Sequence, residues 1–263
     1  MPKAGTQKLL TEERRRETLS LIERNGRVTV KELVQKFDVS AVTIRTDLEI
    51  LAKSGALVRS HGGAMRPLSP AQDYPLPVKQ SLHHAEKVRI GRAAAKVVKP
   101  HETVILDSGT TTLELALCLK QKTNYGLTVI THALNVATAL ADAPNLMLIM
   151  IGGILRHVAD SFVGPDAERM LEGIHADHFF LAVDGLDPVV GLTTPDILEA
   201  KLNGLMMRAA KETTVVADSS KFGRKSVSVI AGIEGVQRVI TDRQAPDDVV
   251  SHLRSRGVQV ILV

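Results

Sequence analysis

The chain has 263 residues, 44% of them hydrophobic and 24% charged, with a formal net charge of +4. That length leaves room for a small domain beside one with a sizeable core, and the apolar fraction, with no low-complexity tract, excludes wholesale disorder. The first thirty residues are charged and lack the apolar run of roughly 7 to 15 residues that marks a signal peptide. No stretch approaches the roughly 18 uninterrupted apolar residues that a bilayer span requires, so a cytoplasmic location without membrane contact is expected. The charge is unevenly placed. Residues 1–66 hold 13 Lys and Arg against 8 Asp and Glu, a net of +5, while residues 67–263 hold 20 against 21, a net of −1. A basic balance confined to one end suits a phosphate backbone as partner.

In chain order, the first strong pattern is RVTVKELVQKFDVSAVTIRTDLEILAKSGALVRSHGGA, residues 27–64. Val30, Leu33, Val34 and Phe37 recur at helical spacing and predict a helix with one apolar stripe. Asp38-Val39-Ser40 supplies a turn, Ser40 caps a second helix, Ile44, Leu48 and Leu51 form that helix's stripe, and Gly55 ends it. A basic hairpin follows. The layout is that of a winged helix-turn-helix, with the helix-turn-helix at about 28–47 and the whole reader at 1–66. On the second helix Ser40, Ala41, Val42, Thr43, Arg45 and Thr46 fall where base edges are reached, with Glu49 and Lys53 further along the same side. Arg59 and His61 in the hairpin, and Arg14, Arg15, Arg16 and Arg66 around it, are candidates for phosphate or minor-groove contacts.

The runs V-S-A-V-T-I-R-T-D-L and L-V-R-S-H-G-G-A resemble the N-terminal module of the DeoR family of bacterial sugar-metabolism repressors. The resemblance implies double-stranded operator DNA as partner. One departure matters: the family commonly carries two adjacent arginines where this chain has Arg45 and Thr46, so the operator sequence does not carry over.

Four prolines in PLSPAQDYPLP mark an extended connection, placed at 67–80, and the remainder, 81–263, changes to alternating strands and helices. The expected elements are a helix from about Lys79 to Val98, strand Thr103–Asp107, helix Thr111–Leu119, strand Thr128–Thr131, helix Leu134–Ala141 and strand Met147–Ile151. Strands at Phe179–Val183, Thr214–Ala217 and Arg238–Thr241 follow, with helices at Leu198–Lys211 and Asp247–Arg256 and a closing strand at Val258–Val263. Continuous apolar strands with helical crossovers predict an open α/β sheet whose ligand collects at the carboxyl ends of the strands. The single cysteine, Cys118, sits among Leu115, Leu117 and Leu119 and reads as a buried, inert thiol. The neighbours His83 and His84 would point about 100° apart on a helix, and no Cys/His cluster has ligand spacing, so neither metal nor cofactor is expected.

The sharpest strand end is V-I-L-D-S-G-T-T-T-L-E-L-A, which places Asp107, Ser108, Gly109, Thr110, Thr111 and Thr112 between a strand and a helix N-terminus. Free N–H groups and the helix dipole there favour a phosphate, and Gly109 permits close approach. Neither a P-loop nor a dinucleotide fingerprint is present, so nucleotide binding is disfavoured. Thr131 and Asn135 follow the second strand, Gly152, Gly153 and Arg156 the third, and Asp184 the fourth, with Lys221 after a later one. Together they offer two cations for a phosphate and polar groups for sugar hydroxyls.

These motifs, with T-H-A-L-N-V-A, A-V-D-G, E-A-K-L and S-S-K-F-G, resemble the DeoR effector domain, which is related to ribose-5-phosphate isomerase and glucosamine-6-phosphate deaminase. Within the family, V-I-L-D-S-G-T-T-T-L-E-L-A, S-F-V-G-P-D-A-E and D-S-S-K-F look closest to the repressors of N-acetylgalactosamine utilisation. The resemblance implies a small sugar phosphate as effector, a homo-oligomer (dimer or tetramer), and release from the operator on effector binding. Asp184-Gly185-Leu186-Asp187 looks like the paired-aspartate loop of the isomerases, and Glu199 falls where their proton-abstracting glutamate lies. The lysine those enzymes place between the two is missing from P-V-V-G-L-T-T-P-D-I-L, so no catalysis is expected.

Overall fold

The computed structural model describes residues 10–53, 56–60, 62–66, 73–122 and 126–263, and the chain divides into two compact units, Met1–Ser69 and Pro70–Val263. The first unit runs α1 (Thr11–Asn25), β1 (Arg27–Thr29), α2 (Val30–Phe37), α3 (Ala41–Lys53), β2 (Val58–Ser60) and β3 (Gly63–Met65). The two expected stripes form its core: Val30, Leu33 and Phe37 from α2 and Ile44, Leu48 and Leu51 from α3 are buried with Ile22, Val28, Leu57 and Ala64. A reciprocal cap opens α2. Thr29 Oγ1 accepts from the Glu32 N–H at 3.1 Å, and the Glu32 carboxylate accepts from the Thr29 N–H at 2.7 Å. Asp38, at φ 51°, closes that helix in the left-handed region, and Ser40 Oγ caps α3 by accepting from the Thr43 N–H at 3.1 Å. The strands pair antiparallel in the order β1-β3-β2, which supplies the hairpin. Gly55, read as the end of α3, and His61 lie outside the described residues.

The second unit begins with α4 (Leu76–Ser81) and α5 (His84–Val97), then β4 (Thr103–Leu106), α6 (Thr110–Lys120), β5 (Leu127–Thr131), α7 (Leu134–Leu140) and β6 (Leu146–Met150). A hairpin of β7 (Ile154–Arg156) and β8 (Ser161–Val163) precedes α8 (Pro165–Met170) and β9 (Ala176–Leu181). Then come β10 (Gly185–Asp187), β11 (Gly191–Thr194), α9 (Ile197–Ala209), β12 (Ala210–Val216), β13 (Ser228–Ala231), β14 (Arg238–Thr241), α10 (Asp247–Ser255) and β15 (Gln259–Leu262). Among the described residues, seven strands make one parallel sheet in the order β15-β14-β12-β9-β4-β5-β6. Successive strand residues point to opposite faces, and both faces are covered. Ile105, Phe179 and Leu181 enter one core with Leu202, Met206 and Leu253 of α9 and α10. Val104, Leu106 and Phe180 enter the other with Ile90, Leu115 and Val136 of α5, α6 and α7.

Three expectations need correction. The helix expected from Lys79 to Val98 is two helices, broken where His83 adopts φ 51°. Residues 73–80, read as linker, lie in the second unit: Leu76 is buried, and its N–H donates to the Val158 carbonyl at 3.0 Å. The rest of the expected linker, 67–72, falls outside the described residues. Cys118 is half-buried rather than buried, and what burial it has pushes its thiol pKa up.

Candidate DNA-reading face and effector site

On α3 the side away from the core carries Ser40, Val42, Arg45, Thr46 and Glu49 exposed, with Ala41 and Thr43 half-buried. Thr46 also bonds its own helix, donating its hydroxyl to the Val42 carbonyl at 3.1 Å. The intervening Asp47 points inward, and this overturns part of the basic surface expected from α1. Arg14 is buried and pairs with Asp47 at 2.6 Å, while Arg15 pairs with the other oxygen of Asp47 at 3.0 Å and with Glu12 at 2.7 Å. Two arginines expected to touch phosphate therefore clamp α1 to α3. Arg66 is exposed but is tied through Nε to the Ile22 carbonyl at 3.3 Å. Arg16 is exposed, and Arg59 is half-buried with Nη1 enclosed and without a hydrogen-bond partner among the described residues.

In the second unit the sheet order reverses between β4 and β9, the topological switch point where such sheets bind ligands. Asp107, at the end of β4, bridges that point. Its Oδ1 accepts from the Ser108 N–H at 2.7 Å and faces His132 Nε2 at 2.9 Å; its Oδ2 accepts from the Ala182 N–H at 3.0 Å and Asn203 Nδ2 at 3.3 Å. His132 is fully buried, and its Nδ1 faces the Phe162 carbonyl at 2.9 Å. Burial works against a charged ring, but the hydrogen bond and charge of Asp107 outweigh it and raise the imidazole pKa above its ordinary value. Asp107 is thus the keystone of the strand ends rather than an open group for a sugar.

Gly109 caps α6 at φ 120°, a conformation that favours glycine. Having no side chain, it offers no acceptor to the N–H groups of the first helical turn, which Thr110, Thr111 and Thr112 carry into the site. Thr112 Oγ1 donates back to the Gly109 carbonyl at 3.1 Å, and Asn135 Nδ2 braces the same carbonyl at 3.3 Å. Thr131 is spent inside the fold, its hydroxyl donating to the Leu106 carbonyl at 2.8 Å and accepting from the Ala133 N–H at 3.1 Å. Gly152 is half-buried with open space around it, whereas Gly153, at φ 145°, lies so close to the Val163 carbonyl that a Cβ would stand 2.6 Å from it.

The charged residues converge, though not as two open cations. Arg156 pairs with Glu199 at 2.6 Å, with Asp196 at 3.2 Å, and with Asp73. Glu199 also accepts from Ser108 Oγ at 3.0 Å and Thr194 Oγ1 at 3.2 Å, and burial, reinforced by Asp107, raises its pKa despite Arg156. Asp184 holds Lys79 at 3.0 Å and Lys221 at 3.4 Å, and Lys79 also reaches Asp73 at 3.2 Å. Burial opposes the Asp184 charge, but the two lysines outweigh it and hold its carboxyl below the ordinary range. Lys87 is buried, donates to the Lys79 carbonyl, and has its pKa pulled down to about 8, chiefly by burial. Asp187 turns away: it caps the β10–β11 turn through the Val189 and Val190 N–H groups and pairs with Lys225 at 3.3 Å. The paired-aspartate likeness therefore does not produce a pair in space.

Asp73, Lys79, Lys87, His132, Thr194 and Asn203 belong to the cluster and escaped the reading of the sequence. His132 stood beside two selected residues in T-H-A-L-N. The lysines carried no motif, since α4 and α5 approach the strand ends from a region read as linker followed by one continuous helix.

Two family models match the chain: a DeoR-like helix-turn-helix domain over residues 14–69 and a DeoR C terminal sensor domain over residues 82–243. A protein named as an aga operon transcriptional repressor in Escherichia coli O157:H7 is 39% identical over 96% of this chain and 94% of its own length. The lactose phosphotransferase system repressor of Lactococcus lactis subsp. lactis is 31% identical over 86% of this chain and 89% of its own. Among solved structures, ribose 5-phosphate isomerase A from Methanocaldococcus jannaschii overlaps 54% of this chain and 56% of its own at 15% identity and a TM-score of 0.41. With a helix-turn-helix at one end, a sensor domain matching more than half its length and relatives alike from end to end, the chain belongs to the DeoR family of transcriptional regulators.

Proposed function

We propose that the protein represses a carbohydrate-utilisation operon, with an amino sugar as the favoured class, and leaves its operator when an intracellular sugar phosphate binds the second unit. The observation that carries this reading is the pairing of an exposed α3 face (Ser40, Val42, Arg45, Thr46) with a polar cluster at the switch point of a separate α/β unit. A reader and a sensor on one chain are what a ligand-controlled repressor requires. The phosphate is assigned to the N-terminus of α6, between Ser108 and Thr112, with Lys87 and Lys221 as its cations. Glu199, Asp184 and Arg156 face the sugar. The amino-sugar class rests on the aga operon relative and on the resemblance of this chain's V-I-L-D-S-G-T-T-T-L-E-L-A, S-F-V-G-P-D-A-E and D-S-S-K-F to the N-acetylgalactosamine subgroup.

An enzyme is disfavoured. The relatives are named as regulators, and both Glu199 oxygens are engaged by Ser108, Arg156 and Thr194, which suits holding a ligand better than moving its proton.

Fluorescence anisotropy on DNA upstream of the protein's own and neighbouring genes tests the proposal, with salt titrated first and hexose and amino-hexose phosphates second. Specific binding released by one phosphosugar is the expected result. Operator affinity unmoved by any of them at saturation would refute the inducer; no specific binding at all would refute the repressor.

A further inference from the structure

We propose that Asp73 is a built-in competitor for the effector, so that an anionic sugar entering the site displaces Asp73 from Arg156 and Lys79 and frees the N-terminal end of the strap formed by residues 73–81. This rests on the effector site as assigned above. Four cations, Arg156, Lys79, Lys87 and Lys221, face five carboxylates, Asp73, Asp184, Asp196, Glu199 and Asp218. The resident carboxylates therefore already match or outnumber the cations. A phosphate brings up to two further negative charges, so its entry is favourable when a resident carboxylate leaves.

Four of the five are fixed. Asp196 caps α9 through the Glu199 N–H at 2.8 Å, Glu199 lies in the first turn of that helix, Asp184 follows β9 with its N–H bonded to the Thr193 carbonyl at 3.1 Å, and Asp218 accepts from the Ser220 N–H at 3.1 Å. Asp73 lies outside the helices and strands, as Asp184, Asp196 and Asp218 do, but among the described residues no backbone hydrogen bond fixes it, and ion pairs to Arg156 and Lys79 hold its carboxylate. The Asp73–Arg156 pair, the Lys79–Asp184 pair and the Leu76 N–H bond to the Val158 carbonyl hold the strap down. Displacement of Asp73 from Arg156 therefore releases the N-terminal end of the strap, while Lys79 remains held by Asp184. Asp73 follows Arg66 by seven residues, which makes the strap the part of the sensor nearest in sequence to the DNA reader.

The test uses the full chain, a panel of hexose and amino-hexose phosphates, inorganic phosphate as control, and hydrogen exchange read over residues 76–82. Where a sugar phosphate binds, exchange in the strap should quicken. Asp73→Asn should bind the same compound about tenfold more tightly, as expected if the docked carboxylate leaves about a tenth of the molecules competent. The variant should also show quickened strap exchange without ligand. A sugar phosphate that binds wild type, loses its affinity in Thr111→Ala, yet leaves or slows strap exchange and gains nothing from Asp73→Asn would overturn the competitor while sparing the site. If no sugar phosphate in the panel binds, the site assignment fails and the competitor with it.

Discussion

At the scale of single residues, the second unit places ionisable groups where their charge depends on a neighbour. Asp107 and His132 form a buried pair, and removing one partner strands the other. Asp107→Ala should therefore cost about 3–5 kcal/mol of stability, measured by urea unfolding at pH 6. Because the imidazole pKa is raised on folding, the pair's contribution is whole below the unfolded value near 6.5 and fades as pH climbs through the folded one. Lys87 runs the other way. Its folded pKa of about 8 lies below the ordinary value near 10.4, so across that window the unfolded chain holds more protons and stability rises with pH on its account. An anion seated beside Lys87 favours the ammonium, so phosphosugar binding should take up protons near pH 8 and weaken as pH rises beyond it. Calorimetry in buffers of different ionisation enthalpy measures that uptake, and a pH-independent affinity between 7 and 10 that Lys87→Met leaves unchanged would remove this lysine from the site.

At the scale of elements, the most consequential contact in the reader is one that charge counting misread. Arg14 and Arg15 raise the positive charge of residues 1–66, yet both converge on Asp47 and fasten α1 to α3. Asp47→Ala leaves a buried guanidinium unpaired and should destabilise the N-terminal unit by about 3–5 kcal/mol, seen as an earlier unfolding transition of its helices by circular dichroism. What was legible and what was not divides along the same line. Apolar stripes such as Val30-Leu33-Phe37 and strands such as Val104-Ile105-Leu106 announce themselves, because burial of each residue follows from local periodicity. The Gly109 turn was legible because strand, glycine and helix start are adjacent in sequence. The Arg156 cluster was not. Its members Asp73, Asp196 and Glu199 are joined only by the fold, and no spacing in the chain distinguishes an arginine facing three carboxylates from one left open. The same holds for α4, whose prolines Pro75 and Pro77 read as linker although Pro77 stands in the helix's first turn, where proline is tolerated.

At the scale of the whole molecule, the reader and the sensor should be separable by mutation and joined only through ligand. Arg45 is exposed on the outward side of α3 and takes no part in the core, so Arg45→Ala should weaken operator binding by about 1–3 kcal/mol if it reads a base, or flatten the salt dependence by about one unit of slope if it touches phosphate. Either way the thermal stabilisation given by a sugar phosphate should persist. Thr111→Ala, in the first turn of α6, should do the reverse: operator affinity without ligand stays, while the ligand loses both its stabilising effect and its power to release DNA. The link between the two is a coupling free energy of about 1–3 kcal/mol, or roughly 5 to 150-fold in DNA affinity, and it must be reciprocal. Operator DNA at saturation should therefore lower the affinity for the sugar phosphate by the same factor that the sugar phosphate lowers the affinity for DNA. Titrating ligand into the free protein and into the protein–operator complex at one salt concentration measures both arms. If ligand affinity is equal in the two while the ligand still appears to release DNA, release is not allosteric, and competition for the reader's basic face becomes the explanation to pursue.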